Sequence, residues 1–80
     1  MDDVHANLAR NLRQARARVG VFQEELADMA GIDRTYVSGI ERGVRNPTIG
    51  IVAKLASEPG TTASELLANT KGRPARVEDK

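Results

Sequence analysis

Cysteine and tryptophan are absent from this sequence of 80 residues, which also contains only one histidine, one tyrosine and one phenylalanine. Without cysteine the chain can form neither a disulfide framework nor a thiolate metal site. The single histidine, His5, excludes a metal or catalytic site built from paired imidazoles. No glycine-rich phosphate-binding loop is present either. This inventory argues against an enzyme and implies no cofactor and no metal.

Long hydrophobic runs are also missing. No apolar stretch approaches the roughly 20 residues that a membrane-spanning helix needs, and no basic segment is followed by the apolar core of a secretory signal. We therefore expect a cytoplasmic protein without a membrane partner. A chain of this length forms one domain that buries only about 60% of its unfolded surface, so a deep cleft is not expected and association of copies would add stability.

The net charge of +1 conceals an uneven distribution of charge. Nine of the twelve cationic residues are arginines, most of them within residues 10–18 and 34–45, and acidic residues lie between these stretches. The planar arginine fork donates paired hydrogen bonds to phosphates, carboxylates and base edges. A solvated helix surface has the same composition, so arginine content alone leaves both interpretations open.

Apolar residues recur at helical intervals through most of the chain. The first stripe consists of Val4, Leu8, Leu12, Ala15 and Val19, and a later one of Ile49, Val52, Leu55 and Ala56. Together with turn and capping residues, the spacing predicts helices over about 4–19, 23–30, 34–42 and 49–58. A fifth helix is expected to open at Thr61 or Thr62, with Leu66 and Leu67 as its apolar residues. There is no alternating strand pattern. The sequence thus predicts an all-α domain of five helices over residues 1–70 and a disordered tail over residues 71–80.

Two of the predicted helices are separated by a very short turn around Gly31, with Asp33 as the expected N-cap of the second helix. A turn of this length forces two helices to cross at a steep angle. The second helix would then project from the domain, and its first residues, Arg34 and Thr35, could face base edges in the major groove of DNA. Many all-α domains contain tight corners, so this geometry alone only suggests DNA binding.

Residues 8–67 resemble the helix-turn-helix domain of phage repressors and Cro, the Xre family. The resemblance rests on the QEELA opening of the second helix, the AGI turn, the IERG end of the third helix and the NPT that follows. Within the family, DRTYVSGIERGVRNPT is similar to the small controller proteins of restriction–modification systems. The resemblance implies a five-helix, phage-repressor-like fold with its helix-turn-helix at about 23–42. It also implies a sequence-specific transcriptional regulator of double-stranded DNA.

The resemblance further implies a role for each matching position. Base-reading positions are occupied by Arg34, Thr35, Ser38 and Arg45, and phosphate-contacting positions by Gln23, Tyr36 and Asn46. Arg16 and Glu41 match an internal salt bridge between the first and third helices. The last two helices are expected to form a homodimer on a palindromic operator, with Leu66 or Leu67 at the contact. Purely structural roles in helix opening, packing or turn formation remain open for Gln23, Tyr36 and Asn46.

Three departures from the family pattern affect these expectations. Phe22 stands where the family usually has a capping serine or threonine, so another interaction, such as packing of its ring, would have to offset a loss of about 1 kcal/mol. Gly39 replaces a larger polar residue that phage repressors use for a second base contact. Polar or small residues near the last helix, Pro59, Thr61 and Ala63, imply a dimer that dissociates at micromolar concentration.

A protein-interaction module, such as an antitoxin, is the alternative function for the same scaffold. Its toxin-binding segment would be residues 71–80. That segment contains one valine and no aromatic residue, which is poor material for an energetically dominant protein contact.

Overall fold

The computed structural model describes residues 3–69 and contains five α-helices and no strand in that range. The helices are α1 (Val4–Val19), α2 (Gln23–Ala30), α3 (Arg34–Glu41), α4 (Ile49–Ser57) and α5 (Ala63–Leu67). The predicted all-α fold of five short helices is confirmed. The predicted tail at 71–80 lies outside the described residues. None of the helices within 3–69 is long and apolar enough to cross a membrane.

A single hydrophobic core joins the five helices. α1 packs against α3 and α5, while α2 packs against α3 and α4, and α4 against α5. The large buried side chains are Leu8, Leu12, Leu26, Val37, Ile40, Val52, Leu55 and Leu66. Each contributes about 1.5–3 kcal/mol when it is fully removed from water, so this cluster supplies most of the stabilisation of the domain.

The buried stripes are shorter than the sequence pattern predicted. Val4 and Val19, at the two ends of the first stripe, are 48% and 45% exposed. Ile49 of the later stripe is 66% exposed, so the prediction that its side chain points inward is wrong. All three stand at the first or last position of their helix. Periodicity places a residue on a helix face, but it does not show how far the neighbouring helices extend along that face.

Two buried asparagines of α1 occupy part of the contact with α5. The Asn11 amide nitrogen lies 2.8 Å from the carbonyl oxygens of Leu66 and Ala68. The Asn7 amide donates to the carbonyl of Leu67 at 3.3 Å. The last carbonyls of a helix have no partner within it, so α1 satisfies the groups that α5 leaves open. Nothing in the sequence pattern predicted this contact.

The helix starts follow the capping rules with one exception. Side-chain oxygens of Asp3, Asp33, Thr48 and Thr62 accept backbone hydrogen bonds in the first turns of their helices. At α2 the Phe22 side chain is 73% exposed, so packing of its ring does not compensate for the missing cap. Instead, the Phe22 backbone N–H donates to the Glu25 carboxylate at 2.7 Å, which secures this helix start from its third residue.

Candidate nucleic-acid interface

The turn between α2 and α3 sets the direction in which α3 leaves the core. Gly31 ends α2 with a φ of 69°, a left-handed conformation that glycine adopts without strain. The Ile32 N–H then donates to the carbonyl of Ala27 at 2.9 Å, and Ile32 packs against the core. Asp33 accepts from the Thr35 N–H at 2.8 Å and starts α3. Three residues thus connect the two helices in a fixed geometry.

α3 presents one face to the core and its first turn to solvent. Val37 and Ile40 are fully buried, which anchors the helix. Arg34 and Thr35 are exposed at the N-terminal end, where the partial positive charge of the helix favours anionic and acceptor groups. Tyr36 and Ser38 are half-buried beside this turn, and no contact described in the structure sets a role for Ser38.

A charged cluster under α3 links it to α1. The Arg16 guanidinium forms two bonds with the Glu41 carboxylate, Nε to Oε2 at 2.8 Å and Nη2 to Oε1 at 2.9 Å. Glu41 is only 3% exposed. The hydrogen bond that Arg16 donates to Glu41, opposed in part by burial, raises the pKa of Arg16 above its ordinary value.

The same cluster extends to α2 and to the end of α1. Gln23 donates from Nε2 to Oε1 of Glu41 at 3.0 Å, and Arg13 donates to the Glu41 carbonyl oxygen. Arg16 also donates to the carbonyl of Val21 at 3.1 Å. Glu41 thus fixes three helices relative to one another. The amide of Gln23 has a structural partner, and its contact with phosphate stays a prediction.

The loop after α3 returns toward the helix instead of leaving it. Gly43 has a φ of 77°, and the Val44 N–H donates to the carbonyl of Gly39 at 2.9 Å. This return places the Arg45 guanidinium over the Tyr36 ring, 5.5 Å from its centroid, at a distance that permits a cation–π contact. Asn46 follows in the same loop and is exposed. The sequence indicated separate roles for Tyr36 and Arg45 and did not predict that the Arg45 guanidinium lies over the Tyr36 ring.

Exposed arginines stand at both ends of α3 and in its following loop. Arg34 begins the helix, next to Asp33, which is engaged as a helix cap, and Arg45 lies in the loop, whereas Arg42 lines a groove beside α1 with Arg10 and Arg13. Exposed arginines attract the phosphate backbone and can donate to guanine edges. Residues 3–69 contain no group of three or more side chains that could hold a metal ion.

The two residues predicted at the dimer contact, Leu66 and Leu67, differ in their exposure to solvent. Leu66 is 1% exposed within the single chain, so it offers no surface to a second copy, and its assignment to the dimer contact is corrected. Its side chain faces the core because α5 packs on both α1 and α4. Leu67 is half-buried and retains exposed surface. Pro59 is buried too. It therefore does not weaken the exposed apolar surface near α5, contrary to the expectation from the sequence.

The structure has the features of a helix-turn-helix DNA-binding regulator. A short corner joins α2 to α3, the first turn of α3 is exposed and carries Arg34, and the buried Arg16–Glu41 pair lies behind it. Comparison with known proteins agrees, since the family described as Helix-turn-helix matches residues 12–66. The chain belongs to this family, in its Xre-type branch.

Relatives of the chain are named as a transcription factor or as control proteins. The Neisseria hypothetical transcription factor of Neisseria meningitidis is 45% identical over 65 residues, which are 81% of this chain and 61% of the relative. The control protein C.SmaI of Serratia marcescens is 37% identical over 65 residues, 81% of this chain and 77% of the relative. This chain is also similar to the crystal structure of the restriction–modification controller protein C.AhdI from Aeromonas hydrophila, with a TM-score of 0.74 and 39% identity. The match covers 78% of this chain and 94% of the C.AhdI chain.

Proposed function

We propose that two copies of this chain bind a palindromic operator as a homodimer and thereby regulate transcription in the cytoplasm. The observation that carries the proposal is the exposed N-terminal turn of α3, where Arg34 and Thr35 stand free of the core. One helix of eight residues reads only a few base pairs. Two copies related by a two-fold axis would read half-sites about 34 Å apart, one turn of B-DNA.

The proposed contacts fall into two groups. Arg34, Thr35, Ser38 and Arg45 read base edges, while Gln23, Tyr36 and Asn46 hold backbone phosphates. The exposure of Arg34, Thr35 and Arg45 supports the first group. Arginine can donate to both acceptors on the guanine edge, and the threonine methyl can contact that of thymine. The half-buried position of Tyr36 beneath Arg45 supports a role at the rim of this surface.

The proposed dimer forms through α4 and α5. These two helices pack against each other on the single chain, and Leu67 keeps part of its surface exposed there. A domain of this size gains stability from association, because its own core is small. The contact assigned to Leu66 is not part of this proposal.

The regulated genes are proposed to belong to a restriction–modification system. C.SmaI and C.AhdI are named as control or controller proteins, and the chain matches most of the length of each. The proposal is that this chain binds DNA ahead of a restriction endonuclease or methyltransferase gene.

Selection of bound sequences from a random DNA pool tests the operator. The expected result is a two-fold symmetric sequence with half-sites about 10 base pairs apart. Enrichment of a single asymmetric site, or of none, would contradict the homodimer. Chromatin immunoprecipitation in cells that express this chain from its own gene tests the controller role separately, because its peaks should lie ahead of a restriction or modification gene. Peaks only at unrelated genes would remove that role while leaving DNA binding intact.

A further inference from the structure

Gly39 stands in the middle of α3, where glycine is an unfavourable residue. Glycine loses more backbone freedom than alanine on entering a helix and is destabilising in a helix interior. Its backbone here is ordinary helix, because the left-handed glycines are Gly20, Gly31, Gly43 and Gly60. The conformation of residue 39 therefore does not require glycine. Some other constraint must act on the space beside its Cα.

That space is filled by the side chain of Arg45. A Cβ added to Gly39 would lie 2.5 Å from Cγ of Arg45, 3.2 Å from Nε and 3.4 Å from Cδ. The closest atom is Cγ, near the root of the arginine side chain. Its position is therefore tied to the backbone of the loop, and a small rotation at the guanidinium end would not relieve the contact. The Arg45 stem lies across α3 in the gap that glycine leaves.

The far end of Arg45 is held on the same face of the helix. Tyr36 precedes Gly39 by three residues, so the two positions are neighbours on the helix surface. The Arg45 guanidinium lies over the Tyr36 ring. At the near end, the Val44 N–H donates to the carbonyl of Gly39 and fixes the chain where it enters Arg45. Backbone, stem and guanidinium are thus all docked on α3.

We propose that Gly39 is a positioning residue for DNA recognition, because the absence of its side chain allows Arg45 to lie along the reading surface of α3. This inference rests on the proposed base-reading role of Arg45. A loop arginine held in one direction loses less side-chain entropy when it binds a base than a freely rotating one. Gly39 therefore contributes to sequence preference without contacting DNA, and Arg45 occupies the helix surface that a larger residue 39 would cover.

Gly39→Ala tests the proposal, because helix propensity and Arg45 positioning predict opposite effects. The DNA-free protein should stay folded in denaturant unfolding, since alanine favours the helix and the exposed Arg45 side chain can leave α3 to make room for the added Cβ. Its preference for the sequence selected by the parent protein over random DNA should fall by roughly 5- to 150-fold per half-site, the range for loss of one good base contact. Arg45→Ala should cause a similar fall. The double variant should be no worse than Arg45→Ala alone.

A DNA-free measurement follows the geometry directly. In the parent protein, the NMR signals of the Arg45 δ-methylene and Nε–H should be displaced by the ring current of Tyr36. In Gly39→Ala they should return toward those of an exposed arginine. Gly50→Ala is the control, because Gly50 is helical like Gly39 but exposed, and its added Cβ would meet only the Thr48 hydroxyl at 3.8 Å. Gly50→Ala should alter neither the Arg45 signals nor the DNA preference.

The outcomes separate this inference from the function on which it rests. If the parent protein selects no sequence, or if Arg45→Ala leaves its preference intact, the proposed role of Arg45 is refuted and the inference falls with it. If Arg45→Ala removes the preference but Gly39→Ala retains both the preference and the displaced Arg45 signals, only the inference is refuted. An additional loss from Gly39→Ala in the Arg45→Ala background would also overturn it, because Gly39 would then act by another route.

Discussion

At the scale of single residues, Arg34 and Asn46 are both exposed on the candidate DNA surface but differ in charge and in position. Arg34 begins α3, where a guanidinium can donate to both acceptors of a guanine. Asn46 lies in the loop after α3, where its amide can donate to a phosphate oxygen. Base contacts specify sequence, whereas phosphate contacts position the protein on any duplex.

Arg34→Ala is expected to reduce the affinity for the operator more than the affinity for random DNA. The loss of a base contact costs about 1–3 kcal/mol and relaxes preference at one position per half-site. The ratio of the two affinities is measured by titration of both DNAs at several salt concentrations. The salt series is needed because the variant also loses a cation, which lowers the salt dependence of binding to either DNA. An unchanged ratio of operator to random binding would make Arg34 a phosphate or surface residue.

Asn46→Ala provides the contrasting case. It should weaken binding to the operator and to random DNA by a similar factor, because a phosphate contact carries no direct sequence information. The salt dependence should barely change, since no cation is removed. The same titrations as for Arg34→Ala measure this effect, and a selective loss of operator binding would show that Asn46 reads a base.

Glu41 is the residue on which the stability of the scaffold depends most directly. Glu41→Ala leaves the half-buried Arg16 without its carboxylate and should destabilise the domain by about 3–5 kcal/mol. Chemical denaturation measures the loss. Glu58→Ala, at the exposed end of α4, is the control and should stay within about 0.5 kcal/mol of the parent. A melting temperature of Glu41→Ala close to that of the parent would show that the pair contributes little.

At the scale of helices, short α5 is held in place by its neighbours. It has only five residues, and isolated helices of that length are unstable in water. The Thr62 side chain caps the N-terminal end of α5 by accepting from the Glu65 N–H. The Asn11 amide of α1 donates to the Leu66 and Ala68 carbonyls at its C-terminal end. Order in α5 thus depends on a side chain more than fifty residues away in sequence.

Asn11→Ala should therefore loosen α5 before it affects the rest of the fold. Loss of the amide leaves buried carbonyls without partners, at a cost of about 1–3 kcal/mol. Hydrogen exchange should show faster exchange of the α5 amides, with α2 and α3 affected less. The exposed Gln14→Ala on the same helix is the control and should leave α5 protection unchanged. Equal acceleration in every helix of Asn11→Ala would contradict a local role.

At the scale of the whole molecule, the proposed dimer determines whether one recognition helix can become a specific regulator. Leu67 is the predicted contact residue that keeps exposed surface, whereas Leu66 completes the core of a single copy. Association through α4 and α5 would fix the separation between the two copies of α3. The strength of the operator complex would then depend on the strength of this contact.

Leu67→Lys is expected to shift the protein from dimer to monomer. Sedimentation of the parent should show a dimer that dissociates at micromolar concentration, and the variant should remain monomeric because a charge in an apolar contact is strongly unfavourable. Circular dichroism must show that the variant keeps its helices, since Leu67 also packs partly against the core. A parent protein that stays monomeric at high micromolar concentration would remove the proposed interface.

The local sequence determined where helices begin and end. Capping residues such as Asp33 and Thr48, and the glycine after α2, act through neighbouring backbone groups, so they could be interpreted without knowledge of the fold. The same short-range pattern indicated two helices joined by a tight turn, with Arg34 and Thr35 on the first turn of α3, and the family resemblance identified them as a helix-turn-helix motif.

Apart from the Arg16–Glu41 pair, which the family resemblance implied, contacts between distant residues were decided only by the tertiary structure. Periodicity placed Ile49 and Leu66 on apolar faces, but the packing of the helices decided that Ile49 is exposed and Leu66 is buried. The docking of Asn11 on α5 and of Arg45 over Gly39 depends on how separate segments meet. Sequence pattern specifies the direction of a side chain relative to its own helix, whereas burial and partners depend on the surfaces that folding brings opposite it.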